Sequence, residues 1–250
     1  YRTSWRCWLR PEGGATVTVR RRGRAGAAPD EGALAALIRA GLPACGIDAG
    51  SCRPPADGLA GRLAAYLALL ARWNAKWNLT AVRDPRDMVT RHLFDSLCVD
   101  PWVRGPRIVD VGTGAGLPGI PLALLRPGDR FTLLDSAGKR TRFLRHVVAR
   151  LGLENVEVVQ ARVEDYDGAA GFDTVVSRAF NSVDGFAATA GHLCGPNGRL
   201  LAMAGRFPAD DLAALPDGWR LLAAGRVTVP GLEAARHAVL LSGPERDGAP

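Results

Sequence analysis

The chain lacks the sequence features of a secreted, membrane-spanning or zinc-dependent protein. Its N-terminus is charged but contains no apolar segment of about 7–15 residues, as a signal peptide would. The longest uncharged apolar run nearby, Leu63 to Ala71, is far shorter than the roughly 20 residues that span a bilayer. The five cysteines include no Cys-x-x-Cys pair, which argues against a disulfide framework or a zinc site. We therefore expect a cytoplasmic protein with reduced, buried thiols, no bound metal and no membrane contact.

Net charge is also scarce once the first 30 residues are set aside. The whole chain has a formal charge of +7, but residues 1–30 hold seven arginines against Glu12 and Asp30. The other 220 residues contain 25 bases and 23 acids, so a nucleic-acid surface on them must be a local patch. Residues 1–30 show no hydrophobic periodicity, which is typical of a disordered tail. A basic arm that adds non-specific RNA affinity is the alternative.

Glycine, in contrast, is concentrated where a nucleotide-binding unit would need it. A β-branched run at residues 108–111 leads into a turn with glycines at 112, 114, 116 and 119, followed by an apolar stretch of helical length. A second apolar run then ends in Asp135. Strand, glycine-rich loop, helix, strand and carboxylate form the frame of a nucleotide-binding βαβ unit. An acid at the end of the second strand can accept hydrogen bonds from two ribose hydroxyls, which indicates an adenosine-bearing cofactor.

The spacing within this loop favours S-adenosyl-L-methionine over a dinucleotide. Residues 114–119 match Gly-x-Gly-x-x-Gly, but such a match is weak in a chain with 30 glycines. The same loop contains Asp110-x-Gly112-x-Gly114-x-Gly116. An acid at that position can bind an ammonium group, which S-adenosylmethionine carries and nicotinamide dinucleotides lack. Asp110 could instead only cap the loop.

Helices precede this unit, and strands alternate with helices after it. Apolar residues at three- and four-residue spacing predict helices before residue 106, with Asp84 as an N-cap and Pro85 in the first turn. The predicted helices are Glu31–Ala49, Asp57–Lys76, Pro85–Val99, 118–126, 138–151, 183–194 and 208–214. The predicted strands are 107–111, 131–135, 156–161, 172–177, 198–204, 221–229 and 237–242. Only Pro230-Gly231 and a few further residues separate the last two strands, so we expect a mostly parallel sheet with one reversed strand.

Several strings of residues together resemble one family, the glucose-inhibited division protein B family. These strings are Trp73-Asn74 with Asn78-Leu79-Thr80, Arg91-His92-Leu93 with Asp95-Ser96, Asp110 to Pro121, Leu133-Leu134-Asp135-Ser136 with Lys139-Arg140, Arg162-Val163-Glu164, and Ser177-Arg178-Ala179-Phe180. The resemblance covers about residues 31 to 243 with the spacing kept. One departure is Ala204, where the family usually has a lysine before the glycine after its fifth strand.

The resemblance implies a fold, an activity and a partner. The fold would be the Rossmann-like seven-stranded sheet of a class I S-adenosylmethionine-dependent methyltransferase, an α/β protein with an N-terminal helical extension. The domains would be a tail over 1–30, a helical segment over 31–105 and the methyltransferase domain over 106–250. The activity would be methylation of guanine N7 in the decoding-region loop of 16S rRNA, in the small ribosomal subunit or its assembly intermediate.

The resemblance also implies roles for matched residues of the cofactor site. Gly112, Gly114 and Gly116 would form the turn and Leu117 would pack beside it. Asp135 would hold the ribose with help from Ser136. Val163 and Glu164 would read the adenine edge, and Arg178 would lie beside the methyl donor. Each of the three charged residues has an alternative. Asp135 could only begin the next helix, Glu164 could be a solvated surface acid, and Arg178 could be an ordinary salt-bridge partner.

Two basic segments are candidates for contact with RNA. Lys139, Arg140, Arg142 and Arg145 lie on one predicted helix whose charged face we expect to point outward, although a solvated face would explain them equally well. The resemblance places Arg91 and His92 on the rim of the active site, although His92 could be a packed core histidine. Trp73 and Trp77, four residues apart, are expected in the core rather than as a base-stacking platform.

The chemistry of guanine N7 needs no general base, because this nitrogen carries a lone pair and no proton. Positioning and desolvation are then the main sources of catalysis. The chain has Ser177-Arg178-Ala179-Phe180 after its fourth predicted strand, not the Asn/Asp-Pro-Pro-aromatic string that holds an exocyclic amine. Two rival functions share these features. They are a nicotinamide-dependent oxidoreductase and a non-catalytic ribosome-binding protein with a vestigial cofactor pocket.

Overall fold

A computed structural model describes residues 30–47, 56–168, 171–178 and 180–244. The expected disorder of the basic tail, apart from Asp30, lies outside these residues. The domain limits proposed from the sequence stay a prediction. No helix in the described ranges is both long enough and apolar enough to cross a membrane.

Seven strands form a single sheet in the order β3-β2-β1-β4-β5-β7-β6. The strands are β1 (Arg107–Val111), β2 (Arg130–Leu134), β3 (Val156–Val159), β4 (Phe172–Ser177), β5 (Cys194–Ala204), β6 (Arg220–Arg226) and β7 (His237–Ser242). Strands β1 to β5 pair in parallel, whereas β7 pairs antiparallel to both β5 and β6. The expected reversal of the last strand is therefore confirmed. This strand lies inside the sheet, however, so that β6 forms the edge.

Helices cover both faces of this sheet, as the resemblance implies for a class I methyltransferase. The helices after β1 are α5 (Gly119–Leu125), α6 (Gly138–Leu151), α7 (Val183–Ala190) and α8 (Ala209–Ala213). Strand β1 is almost wholly buried because its β-branched residues pack into helical layers on both sides. The fold class expected from the sequence is confirmed.

Three helical segments precede the sheet. Helix α1 (Glu31–Gly41) ends earlier than expected and continues as a 3₁₀ turn (Leu42–Cys45), which Gly46 terminates with a φ of 77°. Helix α2 (Ala56–Trp77) matches its expected range and buries Leu63, Tyr66, Leu67 and Leu70. It packs on α1, α5 and α6, so it joins the N-terminal helices to the sheet.

The third N-terminal helix contains a π-helical turn that its sequence does not indicate. Helix α3 (Pro85–Met88), the π turn (Val89–Phe94) and α4 (Asp95–Leu97) follow one another without a break, and a 3₁₀ turn (Asp100–Trp102) follows. The side chain of Asp84 caps α3 by accepting from the Arg86 amide, as expected. The Ser96 hydroxyl donates to the carbonyl oxygen of His92 at 2.6 Å. π turns occur often at functional sites.

The described cysteines are the expected buried thiols. Cys45, Cys98 and Cys194 are free and buried. A hydrogen bond with Cys98, together with burial, raises the pKa of the Cys45 thiol, so it stays protonated. No group of three or more His, Cys, Asp or Glu side chains within the described ranges is arranged to hold a metal ion.

Candidate active site

The glycine-rich loop lies at the carboxyl ends of β1 and β2. Gly112, Gly114 and Gly116 all have positive φ angles, of 66°, 62° and 95°. The amides of Gly112 and Thr113 donate to the carbonyl oxygen of Leu134, which fastens the loop to the end of β2. Ligands of open α/β sheets bind in the crevice outside the carboxyl ends of the strands. The loop is therefore placed as the sequence predicts.

Asp110, at the end of β1, has one engaged and one unengaged carboxylate oxygen. Its Oδ2 accepts from the Thr113 hydroxyl at 2.6 Å and from the Gly119 amide at 2.8 Å. Its Oδ1 is buried and has no hydrogen-bond partner among the described residues. Burial raises the pKa of Asp110 to about 7, although the two hydrogen bonds and Arg178 act in the opposite direction. The carboxylate caps the loop, as the alternative held, and its other oxygen is buried without a protein partner in the described ranges.

The loop also offers space for a ligand on one side and none on the other. A Cβ atom added at Gly112 would meet no atom within 4 Å, and one at Gly114 would meet only the Gly112 carbonyl oxygen, at 3.9 Å. A Cβ atom at Gly119 would collide with Leu133 and Asp110. The first two glycines therefore leave room beside the backbone, whereas Gly119 permits close packing of helix on strand. The free space and the unpaired oxygen fit an amino-acid-bearing cofactor such as S-adenosylmethionine.

Asp135 follows β2 and is nearly inaccessible, with its side chain 2% exposed. Its Oδ2 accepts from the Gly114 amide at 2.9 Å and from the Arg140 guanidinium at 3.2 Å. Its Oδ1 accepts from the Ala137 amide at 2.9 Å, just before α6. The alternative role, an acid at the start of a helix, is thus observed. The hydrogen bond to Gly114 additionally joins this carboxylate to the glycine-rich loop.

Tyr66 of α2 supports the loop, and sequence reasoning missed this role. Its hydroxyl donates to the carbonyl oxygen of Ala115 at 2.7 Å. The side chain is fully buried, and burial raises the pKa of Tyr66, so the phenol stays a neutral donor. The periodicity of α2 marked Tyr66 only as a core residue, because the pattern carries no information about its partner 49 residues away.

Arg178, directly after β4, belongs to a partly buried network centred on the buried Asp95. Its guanidinium donates to Asp95 Oδ2 at 3.4 Å and to the Arg91 carbonyl oxygen at 3.3 Å. Arg236 donates to the other oxygen of Asp95 at 2.8 Å. The expected salt-bridge alternative for Arg178 is therefore observed. The network joins β4 to the π turn and to the segment before β7. Asp95 lies in one of the matched strings, but nothing in the sequence marked Arg236.

His92 is buried and both of its ring nitrogens are engaged. Its Nδ1 lies 2.9 Å from the Arg91 carbonyl oxygen, and its Nε2 lies 2.9 Å from the Thr80 hydroxyl. Burial and the nearby Arg178 lower the pKa of His92 to about 4, so the ring is neutral near pH 7. A carbonyl only accepts, so Nδ1 donates and Nε2 accepts the Thr80 proton. The structure favours the packed-core interpretation, whereas the side chain of Arg91 is exposed.

The remaining candidate cofactor residues differ in their surroundings. Leu117 is buried in the core beneath the loop, and Ser136 is exposed beside Asp135. Strand β3 ends at Val159, two residues earlier than expected, and Val163 and Glu164 lie in the turn that follows. Val163 is half-buried against the second core cluster, and Glu164 is exposed. The adenine contact of Val163 and Glu164 stays a prediction.

Helix α6 begins where the sequence predicts, but its charged residues do not all point outward. Lys139, Arg142 and Arg145 are exposed. Arg140 instead turns back to pair with the buried Asp135. The expectation that this whole basic face is separate from the cofactor site is therefore wrong for Arg140, because one turn of helix places it beside the carboxylate.

The two tryptophans of α2 also have different environments. Trp73 packs against Phe143 and His146 of α6, with ring centroids 5.5 Å apart in both pairs, as expected of a core residue. Trp77 is 38% exposed, and the Lys76 ammonium lies 5.6 Å from its ring centroid. The core assignment is thus confirmed for Trp73 and wrong for Trp77, the last residue of α2.

An open cleft lies at the opposite edge of the sheet from the glycine-rich loop. Its volume is about 1030 Å³, and it is lined by the first residues of four strands, Arg107, Arg130, Val156 and Phe172. None of the candidate site residues lines it. The candidate site is therefore assigned from the two carboxylates and the glycine-rich loop at the carboxyl ends of the strands, and not from the volume of this cleft.

Comparison with known proteins agrees with this geometry. The family model described as rRNA small subunit methyltransferase G matches residues 60–239. A protein of Stenotrophomonas maltophilia (strain K279a) named ribosomal RNA small subunit methyltransferase G is 45% identical over 216 residues, which are 86% of this chain and 98% of that protein. A protein of the same name from Nitrosococcus oceani is 50% identical over 186 residues, covering 74% of this chain and 86% of its own length.

A solved structure shares the fold at low sequence identity. It is reported as "Conversion of a Disulfide Bond into a Thioacetal Group during Echinomycin Biosynthesis" and gives a TM-score of 0.50 at 17% identity, covering 61% of this chain and 82% of that one. That likeness concerns the fold alone. The family match extends over the loop, both carboxylates and the Arg178 network. The chain therefore belongs to the rRNA small subunit methyltransferase G family and is a methyltransferase.

Proposed function

We propose that the protein transfers a methyl group from S-adenosyl-L-methionine to N7 of a guanine in the decoding-region loop of 16S rRNA. The observation that carries the proposal is the arrangement of Asp110 and Asp135 on either side of an open glycine-rich loop, in a chain of this family. Neither rival function is favoured by family membership. Ala204, at the end of β5, is the one departure that would support a vestigial site.

The residues of the loop have separate roles in holding the cofactor. Asp110 accepts a hydrogen bond from the ammonium group of S-adenosylmethionine at its unpaired Oδ1. Asp135, with Ser136 beside it, accepts the ribose hydroxyls at its remaining lone pairs. Gly112 and Gly114 leave room for the ligand to lie against the backbone.

The other proposed cofactor contacts surround this centre. Gly116 and Leu117 hold the shape of the loop, Val163 and Glu164 contact the adenine edge, and Arg178 lies at the methyl-donor end. When bound, S-adenosylmethionine supplies an activated methyl group on a sulfonium ion. The chain's own part is to bind, orient and exclude water.

The reaction requires no residue to remove a proton from guanine. The in-plane lone pair of N7 attacks the methyl carbon directly, so the rate enhancement comes from alignment of the two substrates. The neutral His92 and the paired Asp95 are consistent with a reaction that needs no general base, because protein groups already bind both side chains. These residues fix Arg178 and the rim, and they act as positioning residues.

The substrate is 16S rRNA in the small ribosomal subunit or in its assembly intermediate, and so the protein acts in the cytoplasm. The side chains of Arg91, Lys139 and Arg142 are exposed and bind its phosphates. Arg140 contributes mainly through Asp135, and His92 through Thr80 and the rim.

Mapping N7-methylguanine in 16S rRNA from cells with and without the gene tests the proposal. The RNA strand can be cleaved at N7-methylguanosine after reduction and aniline treatment. We expect one decoding-region site to disappear on deletion and to return when the wild-type protein is supplied, but not when Asp135→Ala is supplied. Retention of every N7-methylguanine in the deletion strain would refute the proposed function.

A further inference from the structure

Trp77 is an exposed aromatic residue that the cofactor site does not use. It ends α2, is 38% exposed and carries the Lys76 ammonium 5.6 Å from its ring centroid. Large exposed aromatics beside cations are typical of surfaces on which unpaired bases stack. Trp77 can stack on a base of the substrate only if it lies on the side of the molecule that carries the cofactor site.

Helices α2 and α6 run antiparallel along each other. Arg62 of α2 donates to the carbonyl oxygen of Leu151, the last residue of α6, at 2.9 Å. Further along α2, Trp73 contacts Phe143 and His146 in the middle of α6.

Trp77 lies one helical turn beyond Trp73 on the same face, or about 6 Å further along the axis. This step leads towards the first turns of α6, where Lys139 and Arg142 are exposed. Helix α6 begins directly after Asp135, at the carboxyl ends of the strands. The exposed ring of Trp77 therefore lies on the same side of the molecule as the cofactor site.

Charge on these two helices is mostly positive. Helix α2 contains three bases and one acid, Asp57 at its start, and α6 contains five bases and no acid. Outside residues 1–30 the chain has a net charge of only +2. The two helices therefore concentrate positive charge on one side of the molecule, where a polyanion would be attracted.

We propose that Lys76, Trp77, Lys139 and Arg142 form an RNA-docking surface, the α2–α6 surface, on which an unpaired base of the rRNA loop stacks against Trp77. Single-stranded loops present bases that can stack on aromatic rings, whereas paired bases cannot. On binding, the Lys76 ammonium leaves the ring for a neighbouring phosphate. This inference rests on the proposed function and adds a contact outside the cofactor site.

The chain's lysines allow a direct test on the unaltered protein. Lys76 and Lys139 are the two lysines of the sequence, and both belong to the α2–α6 surface. Modification by an amine-reactive reagent, read by mass spectrometry, should slow several-fold at both lysines when 16S rRNA or small subunits lacking the methyl group are added. S-adenosylmethionine alone should leave the rates unchanged. Undiminished modification of both lysines at saturating RNA would overturn the proposal.

Substitution of Trp77 tests the stacking contact itself. Trp77→Ala should weaken binding of the same RNA about 10-fold, and Trp77→Phe should recover most of the loss. The KM for RNA should rise, and kcat and the S-adenosylmethionine Kd should stay unchanged. Leu222→Ala is a matched control, since Leu222 is 47% exposed on β6 at the far edge of the sheet.

Salt dependence separates the contribution of stacking from that of charge. Trp77→Ala should keep the wild-type salt slope, whereas Lys139→Gln should reduce it by about one unit. A Trp77→Ala protein that methylates and binds RNA as the wild type does would remove this surface and leave the proposed function standing. A wild-type protein that transfers no methyl group to RNA would remove the proposed function instead.

Discussion

The hydroxyl of Tyr66 donates to the carbonyl oxygen of Ala115 across 2.7 Å, and so an N-terminal helix holds the loop of the cofactor site. Tyr66→Phe removes only this hydroxyl and leaves a buried carbonyl without its partner, which costs about 1–3 kcal/mol. We expect Tm to fall by several degrees and the affinity for S-adenosylmethionine to fall several-fold. Calorimetry and thermal denaturation measure both.

Tyr166→Phe is the matched control for this substitution, because Tyr166 lines the cleft at the opposite edge of the sheet. It should leave cofactor affinity unchanged. A Tyr66→Phe protein with wild-type affinity would show that the loop holds its shape without α2.

Asp135→Ala should weaken S-adenosylmethionine binding by about 10- to 100-fold. The substitution removes a charged acceptor for the ribose hydroxyls, and each such hydrogen bond is worth up to about 1.5–3 kcal/mol. It also releases the Gly114 amide from the loop contact. Isothermal calorimetry measures the change, and circular dichroism checks that the variant is folded. An unchanged Kd in a folded variant would exclude Asp135 from the cofactor site.

Arg140 and Arg142 should have different effects although they are two residues apart. Arg140 pairs with Asp135, and a half-exposed ion pair is worth up to about 1 kcal/mol. Arg140→Ala should therefore weaken cofactor binding up to about 5-fold, since the carboxylate loses a contact that fixes its orientation. Arg142→Ala should change RNA affinity alone. Equal cofactor affinities in both variants would contradict the role assigned to Arg140.

Cofactor binding should strengthen as the pH rises through about 7. Burial raises the pKa of Asp110 to about 7, and only the ionised carboxylate attracts the cofactor's ammonium. The affinity for S-adenosylmethionine, measured between about pH 6 and 8, should rise for the wild type and stay nearly flat for Asp110→Asn. If the affinity of the wild type did not change with pH, Asp110 would not be the residue that binds the ammonium.

The same shift has the opposite effect on the stability of the cofactor-free protein. Because the folded pKa lies above the unfolded value of 3.8, the folded state binds more protons between the two values. The contribution of Asp110 to stability should thus decline as the pH rises from about 4 to 7. Asp110→Asn should lose this decline in urea denaturation.

The local features of the site could be predicted from the sequence. The loop and Asp135 lie where the pattern of apolar runs and glycines places them, and α6 covers the predicted 138–151. The seven-stranded sheet agrees with the family resemblance, and its reversed final strand agrees with the short link at Pro230-Gly231. These features depend on short-range patterns, in which period and glycine position carry the information.

The contacts that the sequence could not supply join residues far apart in the chain. Asp95 and Arg236 are 141 residues apart, and no pattern in either segment names the other. Arg140 was expected to face outward because helical spacing gives a face but not the neighbour that the face meets. Trp77 was expected in the core because its four-residue spacing from Trp73 continues a buried stripe, whereas it is 38% exposed.

Methyl transfer by the purified protein tests the central claim most directly. Small subunits from a strain lacking the enzyme would be incubated with the protein and S-adenosylmethionine labelled in its methyl group, and the labelled nucleotide would be identified by mass spectrometry. The account predicts N7-methylguanosine at one decoding-region position, and a strongly reduced yield with Asp135→Ala at limiting cofactor. Label on another base or another atom of guanine, or no label in 16S rRNA, would contradict it.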